Sequence, residues 1–380
     1  MQYRKFGKLD FETSTLGFGC MRLPLQNTGG EPDMSKIDEP QSIEMIRHAI
    51  DGGVNYIDTA YPYHGGMSEA LVGKALKEGY REKVKLTSKM PIWLIKSIED
   101  CDKYLDEQLK RLDTEYLDFY LLHAMNRERW NTVKELGILD FVDKAIKEGK
   151  IKHVGFSFHE DIDFFREILD AYDWSLCQVQ FNYMEDRKWL EEIKYAASKD
   201  IAVVVMEPLL GGKLAANQPE DIQVELAKSA ADRTAAEWAL RWVLHHPEVT
   251  LLLSGMSNMQ QVDENLVIMD KAVVNNLSDA ELKTIDRVRD IYEAKTKVKC
   301  TGCSYCVPCP QNVAIPDIFS SYNQSAIYNV GEQSKGFYKR VMKIEKDAAR
   351  CIECGACETQ CPQKLPIIRH LKEAHEYLTT

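Results

Sequence analysis

The chain has 380 residues, with 48 Lys and Arg side chains against 59 Asp and Glu, so its formal net charge is −11. This balance disfavours nucleic-acid binding, which needs a basic surface for phosphates. No stretch approaches the length of an apolar membrane span, and the N-terminal residues MQYRKFGKLD lack the apolar run of a signal peptide. We therefore expect a cytoplasmic protein with no nucleic-acid partner and no membrane partner, longer than one average domain.

Short apolar runs typical of strands alternate with helical patterns along the first part of the chain. The strand-like runs lie at 14–21, 54–60, 84–89, 116–123, 151–157, 175–180, 201–207 and 249–255. The helical patterns lie at 41–51, 68–76 (with Ser68 as candidate N-cap), 98–112, 143–149, 161–172, 190–200 and 234–246. Strict alternation predicts parallel strands, and eight repeats in about 250 residues predict an α/β fold of the (β/α)8 TIM barrel type. No GxGxxG motif follows a strand, which argues against a Rossmann domain.

Polar residues fall at the ends of three successive strands, where a barrel of this type places its catalytic groups. Asp58 ends the second strand with Tyr63 five residues later, Lys89 ends the third strand, and His123 ends the fourth. Each residue alone has an ordinary structural explanation, whereas the combination indicates an acid–base site. An ammonium group favours a phenolate, so we expect Lys89, positioned by Asp58, to lower the pKa of Tyr63. Tyr63 would then act as general acid to a carbonyl, and His123 would bind the substrate oxygen or relay a proton.

Three motifs in order make residues 1–295 resemble the aldo-keto reductases. They are DTAYPYHGGMSEALVGKAL at 58–76, LTSKMP at 86–91 and YLDFYLLHAM at 116–125. The resemblance implies that the protein reduces a small-molecule carbonyl, or oxidises an alcohol, with NADP(H) or NAD(H). It assigns the role of general acid/base to Tyr63, with Asp58, Lys89 and His123 in support.

The same resemblance implies positions for the cofactor. Pairs of residues would hold its carboxamide (Ser157, Gln180), its pyrophosphate (Leu210, Gly212) and its adenine (Glu264, Asn265).

Four positions depart from the family pattern around this cofactor site. Phe158 stands where the family usually has Asn, and Glu207 replaces the aromatic residue that usually stacks on the nicotinamide. Gly255 and Gln261 stand where many NADPH-dependent members carry Lys and Arg. A 2′-phosphate favours basic partners. The sequence therefore leaves open whether the protein uses NADH or binds NADPH at a weaker site. Lys213 and Arg22 are the candidates to supply the missing positive charge.

Eight cysteines form two clusters in the tail, CTGCSYCVPCP at 300–310 and CIECGACETQCP at 351–362. The second run has the C-x2-C-x2-C-x3-C-P spacing of bacterial ferredoxins, and the first run departs by one residue in its last gap. In a reducing cytosol such cysteines are metal ligands more often than disulfides. A zinc ribbon would explain pairs of CxxC but not CxxCxxC. Between the clusters, 317–348 is predicted to form two helices.

The tail resembles dicluster ferredoxin domains of the helical kind, which implies two [4Fe-4S] clusters with crossed ligation. The implied ligand sets are Cys300, Cys303, Cys306 with Cys361, and Cys351, Cys354, Cys357 with Cys309. We therefore expect a barrel domain at 1–295 and a small, mostly helical ferredoxin-like iron–sulfur domain at 296–380. The other cysteines, Cys20, Cys101 and Cys177, are expected to be small core side chains.

The sequence leaves two functions open. The favoured one is an iron–sulfur carbonyl reductase or alcohol dehydrogenase. The alternative is an electron-transfer protein whose barrel is a docking scaffold with little reductase activity. The clusters would exchange electrons with a ferredoxin-like or other redox partner, act directly on a bound substrate, or be structural. Substrate specificity is expected to depend on the loops at 22–37 and 124–137.

Overall fold

The computed structural model of the protein describes residues 1–27, 33–160, 162–184, 188–230, 232–300, 302, 305–361 and 363–380, with Lys188 described by its backbone alone. By its internal contacts the chain divides into two units. The first comprises Met1–Gly211 and Glu237–Ser278, and the second comprises Gly212–Ala236 and Asp279–Thr380.

Eight parallel strands of the first unit close into a barrel. They are β3 (Leu16–Gly19), β4 (Tyr56–Asp58), β5 (Lys85–Met90), β6 (Leu117–Met125), β7 (Ile151–Phe158), β8 (Leu176–Gln180), β9 (Ala202–Met206) and β10 (Val249–Ser254). They pair in the order β10-β3-β4-β5-β6-β7-β8-β9. The predicted TIM barrel is confirmed, and each predicted strand run coincides with one of these strands, although β5, β6 and β7 extend one or two residues beyond their runs. Runs such as IAVVV form β9, whose residues Ala202–Val205 are all buried, as expected of a strand covered on both faces.

Helices connect the barrel strands. They are α1 (Glu39–Asp51), α2 (Ser68–Ala75), α3 (Ile98–Leu112), α4 (Arg127–Glu135), α5 (Ile138–Lys147), α6 (Phe165–Leu169), α7 (Lys188–Ser198), α8 (Glu220–Ala227), α9 (Ala235–His245) and α10 (Met259–Lys271). The helix predicted at 161–172 is shorter, because a 3-10 turn occupies Ile162–Phe164. The helix predicted at 143–149 begins earlier, at Ile138.

The prediction that Ser68 caps α2 is wrong. The N-cap position is Met67, and Ser68 is the first helical residue. The Ser68 hydroxyl points inward instead: it donates to the Cys20 carbonyl at 3.1 Å and lies 2.9 Å from the Thr59 hydroxyl. A buried hydroxyl needs such partners, so this side chain serves the strand ends rather than the helix terminus.

A hairpin of β1 (Tyr3–Lys5) and β2 (Glu12–Ser14) precedes the barrel. Phe6, in the turn of this hairpin, stacks with Phe119 at a ring-centre distance of 4.7 Å and with Tyr56 at 6.0 Å. These rings form a buried cluster with side chains from β6, β8, β9 and β10. The hairpin therefore contributes an aromatic plug to the barrel core, away from the carboxyl ends of the strands.

Helices form the second unit. Besides α8, they are α11 (Asp279–Ala294), α12 (Ile315–Tyr328), α13 (Gly331–Lys343), α14 (Ala356–Gln360) and α15 (Ile367–Thr379). Helices α12 and α13 confirm the two helices predicted at 317–348. Helices α12, α13 and α15 share an apolar core that includes Phe319, Tyr338 and Leu371. Within the described residues, no helix has the length and apolar character needed to cross a membrane.

Candidate active site

Three of the four predicted catalytic residues lie within hydrogen-bond distance of one another. Lys89 Nζ is 2.7 Å from Asp58 Oδ1 and 3.3 Å from Tyr63 Oη, and it also donates to the Thr59 carbonyl at 2.8 Å. Asp58 and Lys89 are almost completely buried, whereas Tyr63 is partly exposed. The ammonium therefore holds a carboxylate on one side and a phenol on the other.

The barrel register explains this proximity. Asp58, at the end of β4, pairs with Gly19 of β3 and with Thr87 of β5. Lys89 lies two residues beyond Thr87, so its side chain points to the same face of the strand as that of Thr87. A long lysine at this position reaches the end of the neighbouring strand.

A buried polar network lies next to Lys89. Glu69 of α2 accepts hydrogen bonds from Ser88 Oγ and Gln108 Nε2, both at 2.6 Å. Gln108 Nε2 is also 3.1 Å from the Lys89 carbonyl, and its Oε1 accepts from the Tyr120 hydroxyl at 2.7 Å. These bonds fix the backbone of β5 at the point where the Lys89 side chain leaves it.

Burial raises the pKa of the Tyr63 phenol, while the Lys89 ammonium lowers it, as the sequence predicted. Burial is the larger effect, so the net pKa of Tyr63 is raised. Burial by itself lowers the pKa of Lys89. The Asp58 carboxylate and Tyr63 raise it by more, so the net pKa of Lys89 is raised. Lys89 is therefore a charged hydrogen-bond donor beside a neutral phenol. In this arrangement Tyr63 carries a proton that it can donate.

His64, the residue after Tyr63, anchors the loop that follows β3. The backbone of His64 is left-handed, with φ 55°. Its Nδ1 donates to the Met34 carbonyl at 2.9 Å, and its Nε2 accepts from the Leu23 amide at 3.2 Å. Both ends of the loop predicted to control specificity are thus attached next to the phenol. Sequence reasoning did not single out this histidine.

The structure places His123 beside Tyr63. The two rings meet edge to face with their centres 6.1 Å apart. The imidazole is buried, and its Nδ1 has no hydrogen-bond partner among the described residues. Burial lowers its pKa well below 6.5, with a further contribution from Lys89. His123 is therefore a neutral imidazole with an unsatisfied nitrogen, as expected of a group that awaits a ligand.

Three further side chains surround His123 that sequence reasoning missed. The Trp93 ring centre lies 5.2 Å from that of His123, and the Arg129 guanidinium carbon lies 5.2 Å from the Trp93 ring centre. His159 follows β7 and acts electrostatically on His123. Trp93 lies in a 3-10 turn, Arg129 in the first turn of α4 and His159 just after β7, and elements this short show no periodicity that marks them. Only Arg129 falls in the segment 124–137, which was expected to control specificity.

The predicted carboxamide residues follow adjacent strands. Ser157 lies near the end of β7, where its hydroxyl accepts from the Ala124 amide at 2.7 Å and keeps its own proton available to another acceptor. Gln180 is the last residue of β8 and pairs in register with Met206. These positions bring both side chains to the carboxyl end of the barrel, at neighbouring strands.

The predicted pyrophosphate and adenine residues lie in two other regions. Leu210 begins a 3-10 turn that ends at Gly212. In α10, Asn265 is buried and donates to Ser254 Oγ at 2.9 Å. Glu264 is exposed and accepts from Gln260 Nε2 at 2.7 Å.

The two candidate compensating cations behave differently. The Arg22 stem lies against Gly255, where an added Cβ would meet it at 3.3 Å, and Arg22 Nη2 would be 3.1 Å from a Cβ on Gly211. Arg22 thus spans the loops after β9 and β10. Lys213 Nζ instead donates to Gln324 of α12 at 2.7 Å. Arg22 is the better placed cation for a phosphate at these loops.

The tail cysteines include four that line one pocket. Its walls include Cys309, Cys351, Cys354 and Cys357. Apolar side chains complete the lining: Ile315, Ile352, Ile368 and Leu371. This is the set that crossed ligation implies for one cluster, and thiols in an apolar wall suit a cubane.

The second predicted ligand set is described in part. Cys300, Cys306 and Cys361 pack against the same apolar core as three of the pocket cysteines, Cys309, Cys351 and Cys357. Cys303 lies outside the described residues. Within the described residues, nine cysteines are free thiols: Cys20, Cys101, Cys177, Cys300, Cys309, Cys351, Cys354, Cys357 and Cys361. In that part of the chain, no three or more His, Cys, Asp or Glu side chains gather closely enough to hold a single ion. A cubane binds each thiolate at a different iron, so its ligands stand farther apart.

The three cysteines outside the tail are buried, as expected of core side chains. Cys20 lies close to the catalytic residues, and its amide donates to the Asp58 carbonyl at 2.8 Å. Burial raises the pKa of its thiol, so it remains neutral.

Comparison with known proteins agrees with both halves of this description. Residues 15–290 match the aldo/keto reductase family, and residues 299–366 match the 4Fe-4S dicluster domain. A probable aldo-keto reductase of Glycine max is 29% identical, over 76% of this chain and 88% of its own length. The NADH-specific methylglyoxal reductase of Escherichia coli is 26% identical, over 76% of this chain and 98% of its own length.

Solved structures show the same likeness. An aldo-keto reductase from Bacillus halodurans in its holo form has a TM-score of 0.63 and 27% identity, covering 76% of this chain and 96% of that one. An aldo-keto reductase from Klebsiella pneumoniae in complex with NADPH has a TM-score of 0.60 and 25% identity, covering 75% of this chain and 93% of that one. The barrel, its polar strand ends and these matches together show that the chain is an oxidoreductase that belongs to the aldo/keto reductase family and carries a C-terminal 4Fe-4S dicluster domain.

Proposed function

We propose that the protein is a cytoplasmic carbonyl reductase that uses NADPH or NADH, with Tyr63 as general acid, and that also works in reverse as an alcohol dehydrogenase. Its barrel domain would span residues 1–295, and residues 296–380 would carry two [4Fe-4S] clusters. The observation that carries the proposal is the contact of Lys89 Nζ with both Asp58 Oδ1 and Tyr63 Oη, at 2.7 and 3.3 Å.

The arrangement suits protonation of a carbonyl oxygen. The carbonyl oxygen accepts hydrogen bonds from the Tyr63 phenol and from His123. As negative charge develops on that oxygen, Tyr63 transfers its proton, and the Lys89 ammonium stabilises the phenolate that is left. Asp58 keeps the ammonium in place. The burial of Asp58, Lys89 and His123 excludes water from these groups, which strengthens their interactions.

The site has features that fit a nicotinamide cofactor. Ser157 and Gln180 present polar groups at adjacent strand ends, and the unsatisfied Nδ1 of His123 lies at the same end of the barrel. When bound, the cofactor supplies a hydride to the carbonyl carbon. Leu210 and Gly212 would hold its pyrophosphate, and Glu264 and Asn265 its adenine. Two similar proteins support a cofactor of this class: the NADH-specific methylglyoxal reductase of Escherichia coli and the Klebsiella pneumoniae aldo-keto reductase in complex with NADPH.

The tail fits two clusters with crossed ligation. The pocket that joins Cys309 to Cys351, Cys354 and Cys357 supports one set, and Cys300, Cys303, Cys306 and Cys361 remain for the other. Burial raises the pKa of the Cys357 thiol to about 11, so iron must displace the proton on binding. Such clusters transfer single electrons, which suits a ferredoxin-like or other redox partner.

Replacement of Tyr63 tests the proposed function. Tyr63→Phe removes only the proton donor, so turnover should fall roughly 10²- to 10⁴-fold while the cofactor Kd stays within about twofold. The measurement is stopped-flow oxidation of NAD(P)H by a panel of aldehydes and ketones, with cofactor titration of the same variant. Turnover equal to that of the wild type would remove Tyr63 from the mechanism.

A further inference from the structure

Arg129 provides a positive charge near the catalytic residues that the protein does not neutralise. It forms no ion pair with a described residue, whereas the Lys89 charge is balanced by Asp58. One guanidinium nitrogen donates to the Ala124 carbonyl, and within the described residues its other N–H groups make no hydrogen bond. A guanidinium with free N–H groups is suited to bind a carboxylate or a phosphate.

Trp93 positions this guanidinium relative to the reacting oxygen. The Arg129 guanidinium carbon lies 5.2 Å from the Trp93 ring centre, a cation–π distance. The same ring centre lies 5.2 Å from that of His123. The Arg129 guanidinium carbon is therefore at most 10.4 Å from the His123 ring centre, which is the sum of these two distances. A group held by Arg129 is thus within a few bonds of a carbonyl held by His123.

The other groups near the imidazoles of His123 and His159 are also basic. The His159 amide donates to the Met125 carbonyl at 3.4 Å, which ties the end of β7 to the end of β6. Lys89 and Arg129 both act electrostatically on His159. The groups that act electrostatically on His123 are Lys89, His159 and Arg129. Of these, Lys89 is paired with the Asp58 carboxylate, whereas Arg129 has no carboxylate partner among the described residues. This side of the site therefore favours negative charge in a ligand.

We infer that the substrate is an anionic carbonyl compound, whose carboxylate or phosphate binds Arg129 while its carbonyl oxygen binds Tyr63 and His123. The inference rests on the proposed function and adds the substrate class. The hydride adds to the carbonyl carbon and the Tyr63 proton adds to its oxygen. The product is a hydroxy compound whose anionic group is unchanged. Arg129 thus determines specificity without touching the reacting atoms.

Matched pairs of substrates test the inference. One pair is 4-oxobutanoate and its methyl ester, and the other is dihydroxyacetone phosphate and dihydroxyacetone. For at least one pair, the wild type should show a kcat/KM roughly 10- to 100-fold higher for the anion, as expected of a charge-assisted hydrogen bond. The pair that shows this preference identifies the anionic group as carboxylate or phosphate.

Substitutions at Arg129 locate the preference. Arg129→Met keeps the length of the side chain and removes its charge, so the anion-to-neutral ratio of kcat/KM should fall close to one. Arg129→Lys should keep part of the preference. Arg127→Met is the control, since Arg127 lies on the same helix over the Phe164 ring, and it should leave the ratio unchanged.

Two outcomes would overturn the inference. Equal use of the anionic and neutral member in both pairs would show that no anion subsite exists, while measurable reduction of the neutral compounds would leave the proposed reductase function intact. A wild-type preference that Arg129→Met does not change would show that another group binds the anion. If no carbonyl compound is reduced, the proposed function fails together with the inference.

Discussion

The Tyr63 phenol stays protonated because burial opposes the phenolate more strongly than the Lys89 ammonium favours it. The sequence correctly predicted an ammonium beside the phenol that lowers its pKa, but it did not reveal that burial raises this pKa by more. Burial depends on how the surrounding loops close, which spacing along the chain does not reveal. The residue proposed as proton donor could be singled out from the residue types at strand ends, whereas its protonation equilibrium could not.

These directions predict the pH dependence of carbonyl reduction. Tyr63 is active when protonated, and its pKa lies above 10.0, so raising the pH to 9 removes little of the active form. His123 has a pKa well below 6.5 and is already neutral at pH 7, while Lys89 stays charged because its pKa lies above 10.5.

The profile of kcat/KM should therefore be flat between about pH 7 and 9 for a substrate that does not titrate in this range. Steady-state rates in constant-ionic-strength buffers provide the measurement. A fall in rate with an apparent pKa between 8 and 9 would indicate that Tyr63 ionises as the sequence suggested.

In the proposed function, the loops after β9 and β10 would bind the adenosine end of the cofactor. Gly255 offers no charge, and the Gln261 side-chain oxygen accepts from the Ser257 amide at 2.8 Å. Lys213, one candidate phosphate partner, donates to Gln324. Arg22, which reaches from Gly255 to Gly211, is the cation that the structure leaves nearest these loops.

A single exposed arginine gives a modest preference for the 2′-phosphate. We predict that kcat/KM with NADPH exceeds that with NADH by less than about tenfold, or about 1.4 kcal/mol. Arg22→Met should reduce this ratio further. A preference for NADPH of several hundredfold that survives Arg22→Met would indicate that other residues bind the 2′-phosphate.

Elements with strong periodicity were predictable, and short irregular ones were not. All eight barrel strands were found because buried parallel strands give continuous apolar runs. The β1–β2 hairpin was missed because strands of three residues carry too little pattern. Trp93 and His159 were missed because each is one residue in an irregular connection, where only packing brings it to His123.

At the scale of the whole molecule, the tail is held together by contacts between its two cysteine runs. Cys309 belongs to the first run, yet it lines the same pocket as Cys351, Cys354 and Cys357 of the second run. Cluster binding would join segments some forty residues apart in the chain, which closes a loop and stabilises the folded tail. The cysteine spacing alone indicated that these residues are cluster ligands. The proposal of crossed ligation rests on the resemblance to dicluster ferredoxin domains and on this pocket.

Crossed ligation predicts which cluster each substitution damages. Anaerobically purified protein should contain roughly eight iron atoms per chain. Cys361→Ser should damage the cluster of Cys300, Cys303 and Cys306 and spare the other. The mirror variant, Cys309→Ser, should damage the cluster of Cys351, Cys354 and Cys357.

Electron paramagnetic resonance of the reduced variants distinguishes the clusters. If Cys361→Ser perturbs the cluster of its own run and leaves the first intact, ligation is local. Zinc with little sulfide in the purified protein would contradict both cluster assignments.

The fate of the transferred hydrogen separates a reductase from an electron-transfer protein with a barrel scaffold. The decisive measurement uses NAD(P)H carrying deuterium at the reactive C4 position, with a carbonyl substrate and anaerobically purified protein. If the barrel performs the reduction, one deuterium per cofactor oxidised appears on the carbinol carbon of the product, while the cluster absorbance stays unchanged. If the barrel is a scaffold, the product lacks deuterium, and any cofactor oxidation bleaches the clusters instead. That second result would contradict the proposed function.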